Sequence, residues 1–299
     1  MKIRAYQHET DFAKISQFLN DSYRTGDTFI PWLQPRWEYM HYHPFIHSLD
    51  RSRFGVAEEN GQILGIVHSE SNPGEVFIQT HPDYPQLKET LLAYAEDTHF
   101  QGISQSTGRL FRAVYVNEFD KQLEAAVISR GYEKWEHFAE PNSRILLDGL
   151  IPSPKLPDGY EVKSLADEND LHKINRVLWR GFNHEGPPPE EEVAGRLFGQ
   201  QAPNFRKDLT IVVVAPDGNF VSYCGMWYIE QHQIAYLEPL ATDPDYRRMG
   251  CARAAVYESM QRVQKLGARL VWVGSGQEFY IAIGYQQMFH TYPWIVFLD

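Results

Sequence analysis

Cysteine is nearly absent. The 299 residues contain two, Cys224 and Cys251, which excludes a disulfide framework, and both read as free thiols. Long apolar runs are also missing. No stretch reaches the about 18 consecutive apolar residues that a membrane-spanning helix requires. The opening, Met1-Lys2-Ile3-Arg4-Ala5-Tyr6-Gln7-His8-Glu9, has no apolar signal core, so a cytoplasmic location is expected. Basic side chains are outnumbered, 28 Lys and Arg against 39 Asp and Glu, giving a formal net charge of −11. That argues against general binding to nucleic acid or anionic membrane, which needs a basic footprint. It mildly favours a cationic partner such as an amine, and leaves room for an anion held by a local positive patch.

What is present fits a globular protein with a sizeable core: 43% of residues are hydrophobic and 14% aromatic, over a length that suits one large domain or two ordinary ones. The chain also repeats itself. Ile3-Arg4, Asp11-Phe12 and Lys14-Ile15 are answered 159 positions later by Val162-Lys163, Asp170-Leu171 and Lys173-Ile174. Each set reads as a short strand and an amphipathic helix. Phe54 to Ala57, Asn60-Gly61 and Ile63 to His68 match Ile211 to Val214, Asp217-Gly218 and Val221 to Trp227, with Asn-Gly and Asp-Gly as hairpin turns. Thr80-His81-Pro82-Asp83-Tyr84 answers Thr242-Asp243-Pro244-Asp245-Tyr246, and Gly131-Tyr132 answers Gly284-Tyr285. A domain over 1–150, a proline-rich linker over 151–159 and a second domain over 160–299 are therefore expected.

The most informative stretch runs from Leu237 to Ala252. An apolar strand enters an Asp-Pro-Asp-Tyr turn, and then Arg247, Arg248, Met249, Gly250, Cys251 and Ala252 open a helix. First-turn N–H groups lack intrahelical partners and their dipoles align, so an anion is favoured there. Gly250 and Ala252 let a phosphate approach the backbone. Arg247 and Arg248 add charge suited to bidentate contact. Downstream, Ala255, Val256, Met260, Val263 and Leu266 keep helical spacing. Gly267 ends the helix, and Ala268 to Val273 reads as a buried parallel strand. The first half has Pro85-Gln86-Leu87-Lys88-Glu89-Thr90 at the same place, with no arginine or glycine and a proline that supplies no N–H. The second half is expected to be the active one.

Other features are weaker. Asn183, His184 and Glu185 lie in a polar loop followed by three prolines. His41, His43 and His47 follow Trp32, Trp37, Tyr39 and Tyr42 and read as an aromatic loop with solvated histidines, not as a metal site. Such a loop is in a position to cap a cleft from the first half. Tyr292-Pro293-Trp294 reads as an edge strand. Cys251, near a helix N-terminus, is expected to have a somewhat acidified thiol.

These residues resemble the GNAT superfamily of acetyl-CoA-dependent N-acetyltransferases. The family signature, Arg/Gln-x-x-Gly-x-Gly/Ala, is matched by Arg247 to Ala252, and an aromatic-Tyr-x-x-x-Gly-aromatic run by Phe279-Tyr280-Ile281-Ala282-Ile283-Gly284-Tyr285. The likeness is specific over about 208–299 and one of layout over 1–150. It implies an α/β fold with two tandem GNAT-like domains, each a mixed, mostly antiparallel twisted sheet flanked by helices, the first degenerate. It implies acetyl-CoA as co-substrate, with Leu240, Ala241, Thr242, Arg247, Arg248, Met249, Gly250, Cys251, Ala252 and Ser275 contacting it. Gly274-Ser275-Gly276 replaces the asparagine-bearing strand end of many members. Glu238 is the expected base, placed with positions 236 and 240 on one strand face, the Leu240 N–H the oxyanion donor, and Tyr280 the acid that protonates the departing thiolate. Val127 stands where Tyr280 does in the first half. Asn183, His184 and Glu185 would touch a small amine acceptor. A non-catalytic acyl-CoA-binding or sensor protein is the alternative, and a transferase of longer acyl groups a second one. Acceptor, acyl length and oligomeric state stay open.

Overall fold

The structure is a computed structural model describing residues 2–24, 32–44, 46 and 49–298. The helices are α1 (His8–Ser22), α2 (Gln34–Tyr42), α3 (Leu87–Asp97), α4 (Lys121–Ser129), α5 (Leu171–Gly181), α6 (Glu192–Gly199), α7 (Cys251–Lys265) and α8 (Glu278–Ala282). The strands are β1 (Lys2–Ala5), β2 (Gly55–Glu59), β3 (Gln62–His68), β4 (Glu75–Thr80), β5 (Gly102–Ile103), β6 (Leu110–Asn117), β7 (Glu133–Lys134), β8 (Glu140–Leu146), β9 (Glu161–Ser164), β10 (Ile211–Val214), β11 (Phe220–Ile229), β12 (Ile234–Thr242), β13 (Leu270–Val273) and β14 (Gln286–Leu298).

The chain forms two compact units. One comprises residues 1–40, 46–142 and 288–299, the other 41–45 and 143–287. The first unit's sheet runs β1-β2-β3-β4-β6 and ends on the 288–298 part of β14. It is antiparallel except for the β4·β6 pair. Its core gathers Ile15, Trp37, Met40, Val67, Leu91, Val114 and Trp294. Asn60 and Gly61 both have positive φ, 52° and 81°, as the tight β2–β3 turn requires.

The second unit repeats the plan. Its sheet runs β9-β10-β11-β12-β13 and ends on the 143–146 part of β8, antiparallel except for β12·β13. One face packs on α7 through Ile211, Val213, Cys224, Leu237, Val256 and Val263. The other packs on α5 through Ile174, Val177, Leu178, Val212, Tyr223 and Ala241. Asp170 caps α5 by accepting from the N–H groups of His172 and Lys173 at 3.0 Å. Gly267, φ 98°, ends the α7 segment.

The units are not the two sequence halves taken whole. Residues 291–298 pair with β6 in the first unit, and 143–146 pair with β13 in the second. Segment 151–159 belongs to the second unit, where the Gln261 side chain on α7 donates to the carbonyls of Ile151 and Pro152.

Two readings need correction. β14 is not an edge at Tyr292-Pro293-Trp294, because β6 pairs along one side and Lys134 pairs with Trp294 on the other. The aromatic loop is a helix, α2, with Trp32 and Trp37 in the core and His41 buried. Apolar burial of the indoles overrode the absence of a clear helical pattern. His43 is half-buried, and His47 lies outside the described residues.

Candidate active site

β12 and β13 run parallel only for Ile234↔Leu270, Ala235↔Val271 and Tyr236↔Trp272. β12 continues six residues further, to Thr242, while β13 stops at Val273. The strands therefore part, leaving one edge of β12 without a strand partner among the described residues. The Asp243 N–H donates to the Val221 carbonyl on the β11 side at 3.0 Å. Alternation along the strand then turns the Thr242 and Leu240 N–H groups the other way, toward the gap.

A β-bulge sits within this stretch. Cys224 opposes Leu240 and Met226 opposes Leu237, so Glu238 and Pro239 together face Gly225. The extra residue reverses the side-chain phase. Before it, Ala235 and Leu237 face α7. After it, Leu240 packs with that same core and Ala241 faces α5. The expectation that positions 236, 238 and 240 share a face is thus overturned. Ala241 likewise turns its side chain away from the gap, into the α5 core.

Past Thr242, Asp243 caps a short 3-10 turn over Pro244–Tyr246, accepting from the Asp245 N–H at 3.1 Å. Arg248 and Gly250 both have positive φ, 65° and 89°, which swings the chain into α7. A Cβ on Gly250 would stand 3.2 Å from the Lys155 carbonyl oxygen. The Ala254 N–H is the first of the helix to find an acceptor, Gly250 O at 2.9 Å. The preceding N–H groups form the open first turn. The Arg247 guanidinium, exposed like that of Arg248, donates to Thr242 O at 3.2 Å, Gly181 O at 2.9 Å and Asn183 Oδ1 at 2.8 Å. Arg248 is exposed and, among the described residues, donates to no protein acceptor.

A cleft of about 460 Å³ lies in the gap. It brings together Leu240, Thr242, Arg247, Arg248, Gly250, Cys251, Ala252 and Tyr280, along with Tyr246, Arg253, Gln277, Phe279, Ala282 and Ile283. Tyr280 is 7% exposed on the short α8. Burial, with the nearby Cys224 and Glu238 charges, pushes its phenol above the usual range. Burial raises the Cys251 thiol as well, only partly offset by its own backbone N–H. The expected acidification of that thiol is therefore not found, because desolvation outweighs the helix-end field.

Met249 is exposed and outside the cleft lining. Ser275 also lies outside it; its hydroxyl accepts from the Gln277 N–H at 3.3 Å, and Gln277 borders the cleft instead. Glu238 is half-buried at the bulge, with its carbonyl taken by Trp227 Nε1 at 2.9 Å. It does not line the cleft, but its charge reaches the Tyr280 phenol. Asn183 holds Arg247, His184 stacks on Trp179 at 4.4 Å, and Glu185 is exposed. Gly225 and Gly181 carry no sequence signal by themselves. Yet a Cβ on Gly225 would stand 2.3 Å from Glu238 O, and one on Gly181 2.7 Å from the Ala241 Cβ. Among the described residues no His, Cys, Asp and Glu group is arranged to hold a metal ion. No described helix is long and apolar enough to cross a membrane.

A model of the acetyltransferase (GNAT) family matches residues 171–285, the span that builds this cleft. The chain carries a GNAT acetyltransferase domain. Over its whole length it is similar in fold to a GCN5-related N-acetyltransferase from Sphaerobacter thermophilus, with TM-score 0.64, 15% identity, and coverage of 99% of this chain and 95% of that one. A tandem GNAT protein from the clavulanic acid biosynthesis pathway gives TM-score 0.64 at 12% identity, covering 99% and 98%. A GNAT-family acetyltransferase from Colwellia psychrerythraea gives 0.56 at 11%, covering 99% of both chains. The fold is thus that of a tandem GNAT protein. Among curated proteins, a nitric oxide synthase of Bombyx mori is 27% identical over 43% of this chain, which spans 13% of that protein's length.

Proposed function

We propose that the chain is an N-acetyltransferase that moves the acetyl group of acetyl-CoA to a small primary amine by direct attack. One observation carries this reading: a single cleft joins the open first turn of α7 and Arg248 to the unpaired edge of β12 and the Tyr280 phenol. The donor set fits a diphosphate, because outward N–H groups, a glycine that admits close approach and an exposed cation converge there. The first half has Pro85 and Gln86 before α3, which supports placing the acyl donor on the second unit.

Acetyl-CoA supplies an activated thioester; the residues do the rest. The α7 first turn and Arg248 hold the diphosphate and so fix the acyl end against β12. The Leu240 N–H, at the cleft, would donate to the reacting carbonyl oxygen and stabilise charge developing there. Glu238 accepts the amine proton, through water given its place at the rim of the bulge. Tyr280 returns a proton to the departing sulfur. Its raised pKa keeps the phenol protonated throughout the working range. A thiolate desolvated beside Tyr280 would be more basic as well, which lessens the uphill step from phenol to sulfur.

Turnover of acetyl-CoA against a panel of primary amines, followed by mass spectrometry, tests the reading. Tyr280→Phe should lower kcat by about 100-fold, within the usual range for a general acid, while leaving acetyl-CoA binding and circular dichroism unchanged. Glu238→Gln should lower kcat/KM by about 100-fold, because the amine proton loses its acceptor. Tight binding with no turnover on any amine would favour a sensor, and stronger competition by longer acyl-CoAs would favour another acyl donor.

A further inference from the structure

The two adjacent arginines of the motif look interchangeable in sequence. Their geometry separates them. Three of the five Arg247 N–H donors are already used: Nε on Thr242 O, and both on Nη2, one on Gly181 O and one on Asn183 Oδ1. Nη2 belongs to both edges by which a guanidinium grips an oxyanion in bidentate fashion. With both its hydrogens committed, neither edge is available.

The acceptors share a location. Phe182 N–H returns to Leu178 O and Asn183 N–H to Arg180 O, closing the end of α5 with Asn183 in the left-handed region at φ 61°. Gly181 O is left as an open helix-end carbonyl, where a cation is favoured. Gly181 itself permits the close approach of α5 to Ala241 and Thr242. Arg180 reinforces the join by pairing with Asp243 at 2.7 Å and Asp245 at 2.6 Å.

We infer that Arg247 is not a phosphate ligand but a brace that ties the end of α5 to the loop entering α7, with Asn183 as its positioning partner, and that Arg248 supplies the side-chain charge of the diphosphate grip. Asn183 thus acts on the socket from behind instead of touching the acceptor. The inference rests on the reading that the start of α7 holds a diphosphate.

The test uses the full chain with coenzyme A as probe, titrated by calorimetry, and deuterium exchange of residues 181–186. Arg248→Gln should weaken coenzyme A by roughly tenfold, the scale of one charge-assisted hydrogen bond, with exchange unchanged. Arg247→Gln should cost less than about threefold, because no bidentate contact is lost, and should raise exchange in 181–186. Arg247→Lys should behave like Arg247→Gln in exchange, since a point charge cannot span three acceptors. Asn183→Gly keeps the left-handed backbone and removes the acceptor, so exchange should rise; Asn183→Asp restores an acceptor and should restore protection. Equal losses of affinity in Arg247→Gln and Arg248→Gln would overturn the inference. So would unchanged exchange in Arg247→Gln and Asn183→Gly. If the native chain took up no coenzyme A, the socket reading would fall, while the exchange comparison would still decide the brace.

Discussion

A methyl group at Gly225 would stand 2.3 Å from the Glu238 carbonyl oxygen and 3.0 Å from the Pro239 ring. That contact fixes the bulge that reverses the phase of β12. Gly225→Ala should therefore cost about 1–3 kcal/mol, as overpacking does, and should lower turnover more than stability alone explains. A denaturant melt alongside kcat measures both; a stable variant with full turnover would show the bulge to be dispensable. Arg248, Gly250 and Tyr280, which the sequence singled out, all line the cleft, because their positions follow from local geometry: a helix start, a positive φ, a short helix. Glu238 was misplaced because one inserted residue changes every side-chain direction after it. Nothing in Leu237-Glu238-Pro239-Leu240 states which strand residue it will oppose.

At the scale of elements, the junction of α5 with the end of β12 organises the site. Asp243 is fully buried, with Arg180 at 2.7 Å and Arg176 at 3.0 Å. Burial alone would raise its carboxyl. The Arg180 hydrogen bonds, the Asp245 N–H and both guanidinium charges pull it further down, to a net value below the usual range. A carboxylate lowered in the folded state stabilises the protein above its unfolded pKa of about 3.9. That contribution fades as pH falls through the lower folded value. The native chain should thus lose melting temperature steeply below about pH 4, and Asp243→Asn should lose less in that window. Near neutral pH the variant should be about 2 kcal/mol less stable, under the cost of breaking a fully buried pair because the guanidinium groups remain partly in water. Urea melts across pH check both signs. The hairpins, α5 and α7 were legible from turn dipeptides and apolar spacing. α2 was not, because its helix is held by the burial of Trp37 and Met40 in a core built by distant residues.

At the scale of the molecule, each sheet is finished by a strand from the other half of the sequence. Eight residues of β14, 291–298, pair with β6, and Trp294 enters the first core. A fragment of residues 1–150 should therefore show no cooperative melt, since it lacks both that ladder and that indole. A synthetic peptide of residues 288–298 added in trans should restore one. Cooperative melting of the fragment alone would show that the ladder is not needed.

The sequence by itself determined the duplicated α/β plan and a helix start bearing arginine and glycine in the second half only. Hydrophobic period, turn chemistry and helix-end electrostatics are local properties that a linear chain carries. Tertiary structure alone decided the parting of β12 from β13, the bulge opposite Gly225, the engagement of Arg247 by Gly181 and Asn183, and the exchange of final strands. Each depends on which distant backbone lies alongside, and a one-residue offset in pairing reverses the outcome without changing a single letter nearby.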